Sequence, residues 1–249
     1  MSCYTFSISP DYLPSDLTGW FIFNTWLQKI TDTRFHLELH DSFEQQRCDL
    51  DDDKIDLIYA NPFDAAKLVR EKGFKPLVKP QNRQDEVVVL VRADSLYQCV
   101  EDLSTKPIII SADDPDVLMM GFMLLEPADV VKDDEITMIR KSHVQVAKDL
   151  LNKEGDIAFM LKSSFDELSD LIKWQMRVLV ESRIDLITHV LMASPRLEPL
   201  HDSIRNSVLA LASSPKGPSV MEFMPMKQWQ NVEEEEAEFM IDLMDAIMS

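Results

Sequence analysis

The sequence predicts an α/β protein of two lobes forming a clam-shell, each lobe a mixed sheet flanked by helices. Three observations predict it. Two-residue and 3.6-residue hydrophobic periods alternate from residue 4 to residue 73, giving strand and helix in turn. Strand patterns then dominate through Val78 and Val91, and the strand–helix alternation restarts at Pro107. Two further strand patterns, at 177–180 and 186–192, bring the chain back before it ends in helical sequence. The first lobe is therefore expected from residues 1–91 plus 185–249 and the second from 92–184.

Each element follows from its pattern. Residues 4–8 read as a short strand, after which Ser15-Asp16-Leu17 starts a helix with Trp20, Phe23, Trp26 and Leu27 at spacings of three and four. Phe35, Leu37 and Leu39 alternate with His36, Glu38 and His40, the period of a half-buried strand, and a short helix is expected over 43–50. The apolar run 55–60 is a buried strand ending at Asn61-Pro62, where a helix starts that stops at Gly73. Residues 86–91 read as a fully buried strand. In the second lobe strands are expected at 108–110, 136–139 and 157–161, and helices at 116–125, 143–151 and 165–174. Residues 233–248 combine four consecutive glutamates with Phe239, Met240, Leu243, Met244 and Ile247, an amphipathic helix with acid in its first turn, where the helix dipole favours it. It reads as a closing helix or as one that docks a protein partner.

Composition narrows the function. A chain of 249 residues with 45% hydrophobic and 28% charged residues has the apolar content to build a core. Its net charge of −19 repels phosphate backbones and anionic lipid, so nucleic acid is not an expected partner. The longest apolar run, 117–125, is about half the length of a membrane span, and no membrane insertion is expected. Cys3, Cys48 and Cys99 are odd in number and form no CxxC pair, and no signal-peptide pattern opens the sequence, so a reducing, cytoplasmic location is expected. The five glycines lie far apart, which excludes the P-loop, the GxGxxG fingerprint and the GxSxG elbow, each of which needs several within a few residues.

Two stretches carry a resemblance. Residues 54–66, read as Lys-Ile-Asp-Leu-Ile-Tyr-Ala-Asn-Pro-Phe-Asp-Ala-Ala, and Lys141-Ser142-His143 with Val146 and Gly155-Asp156-Ile157-Ala158 resemble the phosphate/phosphite/phosphonate substrate-binding proteins of ABC importers. The resemblance runs over most of the chain and implies a type 2 periplasmic-binding-protein fold that closes on a small molecule in the interlobe cleft. It implies an aromatic wall at Phe63, which lacks the phenolic donor of the family's tyrosine, and a cleft histidine at His143 beside Ser142. The family's Ser-Thr-Ser-Gly anion turn is replaced here by Ser111-Ala112-Asp113-Asp114-Pro115-Asp116, whose carboxylates repel an anion.

The expected ligand-binding residues are Tyr12, Asn61, Phe63, Ser111, Asp113, Asp114, Ser142 and His143, with the aspartates selecting against anions. No cofactor is expected. Asp113, Asp114, Asp116 and His143 follow no metal-binding spacing, His36 and His40 share the polar face of a strand, and the methionines at helical spacing read as core, so no metal is expected either. His189, inside an apolar strand, reads as a hydrogen-bonded core histidine. No catalytic constellation has local support. The leading expectation is a non-catalytic ligand sensor or adaptor. An enzyme of the same fold, acting on a small carboxylated or aromatic metabolite, and a ligand-free interaction module stay open.

Overall fold

The computed structural model describes residues 3–12, 14–103, 106–130, 136–184, 187–233, 235, 237–239, 242 and 243. The described residues divide into two units, one built from those up to Gln84 and from Thr188 to Leu243, the other from Asp85–Ile187.

Unit 1 grows from strand–helix repeats. Strand β1 (Cys3–Ile8) pairs in parallel with β2 (Arg34–Glu38) and β3 (Leu57–Ala60). Helix α1 (Leu17–Thr31) connects β1 to β2, α2 (Phe43–Asp51) connects β2 to β3, and α3 (Pro62–Lys72) leads to β4 (Lys75–Pro80). Two strands from the far end of the sequence complete the sheet. β10 (Val190–Ala193) inserts antiparallel between β3 and β4, and β11 (Trp229–Asn231) pairs with the outer edge of β4. The order is β11-β4-β10-β3-β1-β2.

One face of that sheet carries the larger core, where Phe6, Leu57, Leu77 and Leu191 meet Trp20, Phe23 and Leu27 of α1 and Ile204 and Val208 of α8 (His201–Leu209). Helix α9 (Gly217–Phe223) packs so closely on α1 that a Cβ on Gly19 would lie 2.1 Å from the Phe223 carbonyl oxygen. The opposite face packs Ile58, Val190 and Met192 against Leu50 of α2 and Ala65 and Leu68 of α3, with Val232 at its margin.

Unit 2 repeats the scheme with order β7-β6-β8-β5-β9. β6 (Ile109–Ala112) is parallel to β7 (Thr137–Arg140) and β8 (Ile157–Leu161), while β5 (Val87–Arg92) runs antiparallel to β8 and β9 (Met176–Glu181). Helix α4 (Pro115–Leu124) follows β6, α5 (His143–Leu151) follows β7, and the short α6 (Lys162–Asp166) and α7 (Asp170–Lys173) follow β8.

Three details differ from the sequence pattern. β5, continuous with the first lobe in sequence, hydrogen-bonds only within the second sheet, so the chain changes unit at Gln84/Asp85. The single helix expected at 165–174 is two short helices, because Ser169 turns to extended backbone between them while Phe165, Leu168 and Ile172 stay packed on the core. The strand expected over 186–192 starts at Val190, and residues 185 and 186 lie outside the described set. Of the C-terminal helix expected over 233–248, residues 235, 237–239, 242 and 243 are helical, and the others between 234 and 248 lie outside the described residues. Among the described residues no helix is long and apolar enough to cross a membrane.

Candidate functional site

Loops at the carboxyl ends of parallel strands are where open α/β sheets bind ligands, and the sequence-predicted residues occupy such loops in both units. In unit 1, Asn61 ends β3 and caps α3. Its Oδ1 accepts from the Asp64 amide at 2.8 Å, and its Nδ2 donates to Asp64 Oδ2 at 3.0 Å and to Ser9 Oγ at 3.4 Å. With no exposed surface, Asn61 positions the loop instead of reaching into solvent. Phe63, in the first turn of α3, is half-buried beneath the Arg47 guanidinium, 5.0 Å from its ring centroid. Arg47 forms a bidentate pair with the buried Asp64 (2.7 and 3.2 Å), so a cation covers the aromatic wall. Tyr12, in the loop after β1, has its hydroxyl pKa raised by partial burial and by the nearby Asp41 carboxylate.

That loop also carries a group absent from the expected set. Asp11 pairs with His189, just ahead of β10, at 2.9 Å. The imidazole lies against Tyr59 with centroids 5.1 Å apart and planes 25° from parallel. Burial acts to raise the Asp11 carboxyl, but His189, by charge and hydrogen bond, and Ser9 outweigh it and hold the pKa at about 2.

His40 also departs from its expected place. β2 ends at Glu38, and the following turn brings the ring inside, where it meets Ser7 Oγ and Asp49 Oδ2, each at 3.1 Å. His36 stays on the exposed face, 3.0 Å from Glu38. The Ser7–His40–Asp49 chain has the residue types of a nucleophilic triad, yet Ser7 has no exposed surface and cannot meet a substrate there.

In unit 2 the decisive geometry is at α4. Asp114 is its N-cap and is 2% exposed. One carboxylate oxygen accepts from the Asp116 amide at 3.0 Å and the Val117 amide at 3.2 Å. Those amides are the donors a helix N-terminus offers to an oxyanion. Asp113 stands beside it, exposed, its amide donating to Arg140 O and tying the β6–α4 loop to the end of β7. Ser111 Oγ is fully buried and is bonded by none of the described protein groups. Ser142 caps α5 by accepting from the Gln145 amide at 3.3 Å, which sets His143, half-buried, in the first turn. Ser111 near the end of β6, Asp113 and Asp114 in the loop after it, and Ser142 and His143 at the start of α5 thus lie at the carboxyl ends of adjacent strands of one sheet, while Tyr12, Asn61 and Phe63 lie at the carboxyl ends of strands of unit 1. Among the described residues no cluster of three or more His, Cys, Asp or Glu is placed to hold a metal.

Two α/β units with ligand-type loops at their strand ends define a type 2 periplasmic-binding-protein fold, and comparison with known proteins gives the family. Residues 6–237 match the model of the ABC transporter, phosphonate, periplasmic substrate-binding protein family, and the chain belongs to that family. XAC2383 from Xanthomonas citri, solved bound to chloride ion, superimposes with a TM-score of 0.82 at 14% identity, covering 100% of this chain and 98% of that one. PhnD1 from Prochlorococcus marinus, solved in complex with methylphosphonate, gives 0.80 at 10% identity over 99% and 98%. A binding-protein component of an ABC phosphonate transporter from Pseudomonas aeruginosa gives 0.77 at 15% over 99% and 89%. No curated protein matches the chain.

Proposed function

We propose that this member of the phosphonate-binding family is a cytoplasmic ligand sensor or adaptor whose ligand is neutral or amine-bearing rather than a phosphonate held at α4. The observation that carries this reading is the Asp114 cap. A buried carboxylate already satisfies the Asp116 and Val117 amides, so an incoming oxyanion finds those donors engaged and meets a like charge. Asp113 adds a second, exposed carboxylate at the same turn. At the strand ends of unit 2, His143 supplies an imidazole and Ser111 Oγ has a hydrogen bond still to make; at those of unit 1, Tyr12 supplies a phenol and Phe63 an aromatic ring. Cys3, Cys48 and Cys99 are all free and exposed, a state that suits a reducing compartment.

Native mass spectrometry of freshly purified protein, followed by titration calorimetry with methylphosphonate, phosphate and a panel of small amines, tests the reading. A released mass without phosphorus, or amine binding with phosphonate ignored, is expected. Replacing Asp114 by Ser keeps a capping oxygen and removes the charge, and should raise methylphosphonate affinity by about tenfold or more. Tight phosphonate binding by the unaltered protein would overturn the ligand class, and a protein that binds nothing in either experiment would overturn ligand sensing itself.

A further inference from the structure

An apolar groove of about 560 Å³ runs along the outer side of unit 1 between α1 and the start of α9. Trp26 and Val220 form its floor, and Phe21 and Ile30 its walls. The walls are solvated, with Phe21 51% and Ile30 41% exposed, although α1 already buries Trp20, Phe23 and Leu27 in the core on its other side. A helix apolar on both sides is matched to a second partner as well as to its own core. The groove is firmly built, since Trp26 Nε1 donates to Ser214 Oγ at 3.1 Å and Gly19 lets α9 approach to backbone contact.

Charge identifies the kind of occupant. Lys29 and Lys216 border the groove, and neither forms an ion pair with any described residue, in a chain whose net charge is −19. The fitting partner is therefore an apolar stripe flanked by acid. The chain's own residues 233–249 have that pattern, with Phe239, Leu243 and Ile247 at four-residue spacing and Glu235, Glu238, Asp242 and Asp245 around them. Glu235, Glu238 and Asp242 are exposed, and Phe239, the first apolar position of that stripe, is 44% exposed, while Leu243 is half-buried. Lengths agree as well. On a helix Phe21 to Ile30 spans about 13 Å and Phe239 to Ile247 about 12 Å. The segment starts on the wrong side for its own groove, because Val232 packs with α2 and α3 on the opposite face of the sheet.

We propose that the α1–α9 groove receives the acidic C-terminal segment of a second copy of this chain, and that reciprocal exchange closes a two-fold dimer. Reciprocity matters because a one-way exchange would leave a free groove and a free tail and grow into a filament. The proposal is independent of any ligand.

Sedimentation velocity of the full-length chain over a wide concentration range at low salt gives the test. A monomer–dimer equilibrium is expected, weakened about tenfold or more by Lys29→Glu with Lys216→Glu, and similarly by Phe239→Asp. Circular dichroism and melting show that each variant is folded. Mixing the groove-reversed chain with one carrying Glu235→Lys and Glu238→Lys should restore dimers that neither forms alone. A chain monomeric throughout, or a dimer indifferent to both sets of substitutions, would overturn the proposal.

Discussion

The Asp11–His189 pair of unit 1 has a pH dependence of definite sign. The ordinary Asp value of 3.8 is lowered to about 2 in the folded chain. A lowered carboxylate pKa stabilises the fold fully above the unfolded value and loses that stabilisation as pH falls from 3.8 to 2. Asp11→Asn should therefore cost about 2 kcal/mol at neutral pH and progressively less toward pH 2, as read by urea unfolding across that range. Asp114→Ala removes the α4 cap and should cost about 1 kcal/mol at neutral pH, measured the same way. Neither role was equally visible in the sequence. An Asp before Pro at a helix start announces a cap, since the acceptor and the amides it serves are neighbours in the chain. Asp11 and His189 are brought together only when β10 enters the sheet beside β3, so no local pattern joins them. His40 shows the same limit, because alternation says where a strand's side chains point only while the strand lasts.

Elements with their stop and start signals inside their own residues were legible. Asn61-Pro62 and Gly73 bracket α3, and Gly73 takes the left-handed conformation (φ 64°) that glycine adopts without penalty. Ser42 and Ser142 cap α2 and α5 in the same local manner. β11 escaped notice because three residues carry no periodicity, and only the free edge of β4 makes Trp229–Asn231 a strand. The break between α6 and α7 escaped it too, since the apolar positions on both sides still pack on one core and so preserve a helical spacing. At this scale the α1–α9 contact is the sharpest test of packing. A methyl group on Gly19 would lie 2.1 Å from a backbone carbonyl, which no side-chain rotation relieves. Gly19→Ala should therefore destabilise unit 1 by about 2 kcal/mol, seen as a lower urea midpoint with an unchanged slope.

For the whole molecule, the order of two α/β units was legible because the alternation stops and restarts, but charge sets the conditions under which they are stable. Forty-four acidic residues against 25 basic ones make the folded chain repel itself, and salt screens repulsion among exposed charges. Raising NaCl from low to near-molar concentration should lift the melting temperature by about 3 °C, as read by differential scanning fluorimetry. A fall would mean that ion pairs such as Arg47–Asp64 outweigh the net charge.

The position of β10 bears on how the chain is made. It lies in the middle of the unit 1 sheet, bonded to β3 on one side and β4 on the other, yet it is translated only after all of unit 2. All five strands of the unit 2 sheet come from the single stretch Asp85–Ile187, so that sheet can be completed as this stretch leaves the ribosome. Unit 1 must wait, with the flanks of β3 and β4 open, until a strand more than a hundred residues downstream arrives to join them. The unit whose synthesis begins first is thus the last whose sheet can close, and until then the facing edges of β3 and β4 lack the strand that pairs with both.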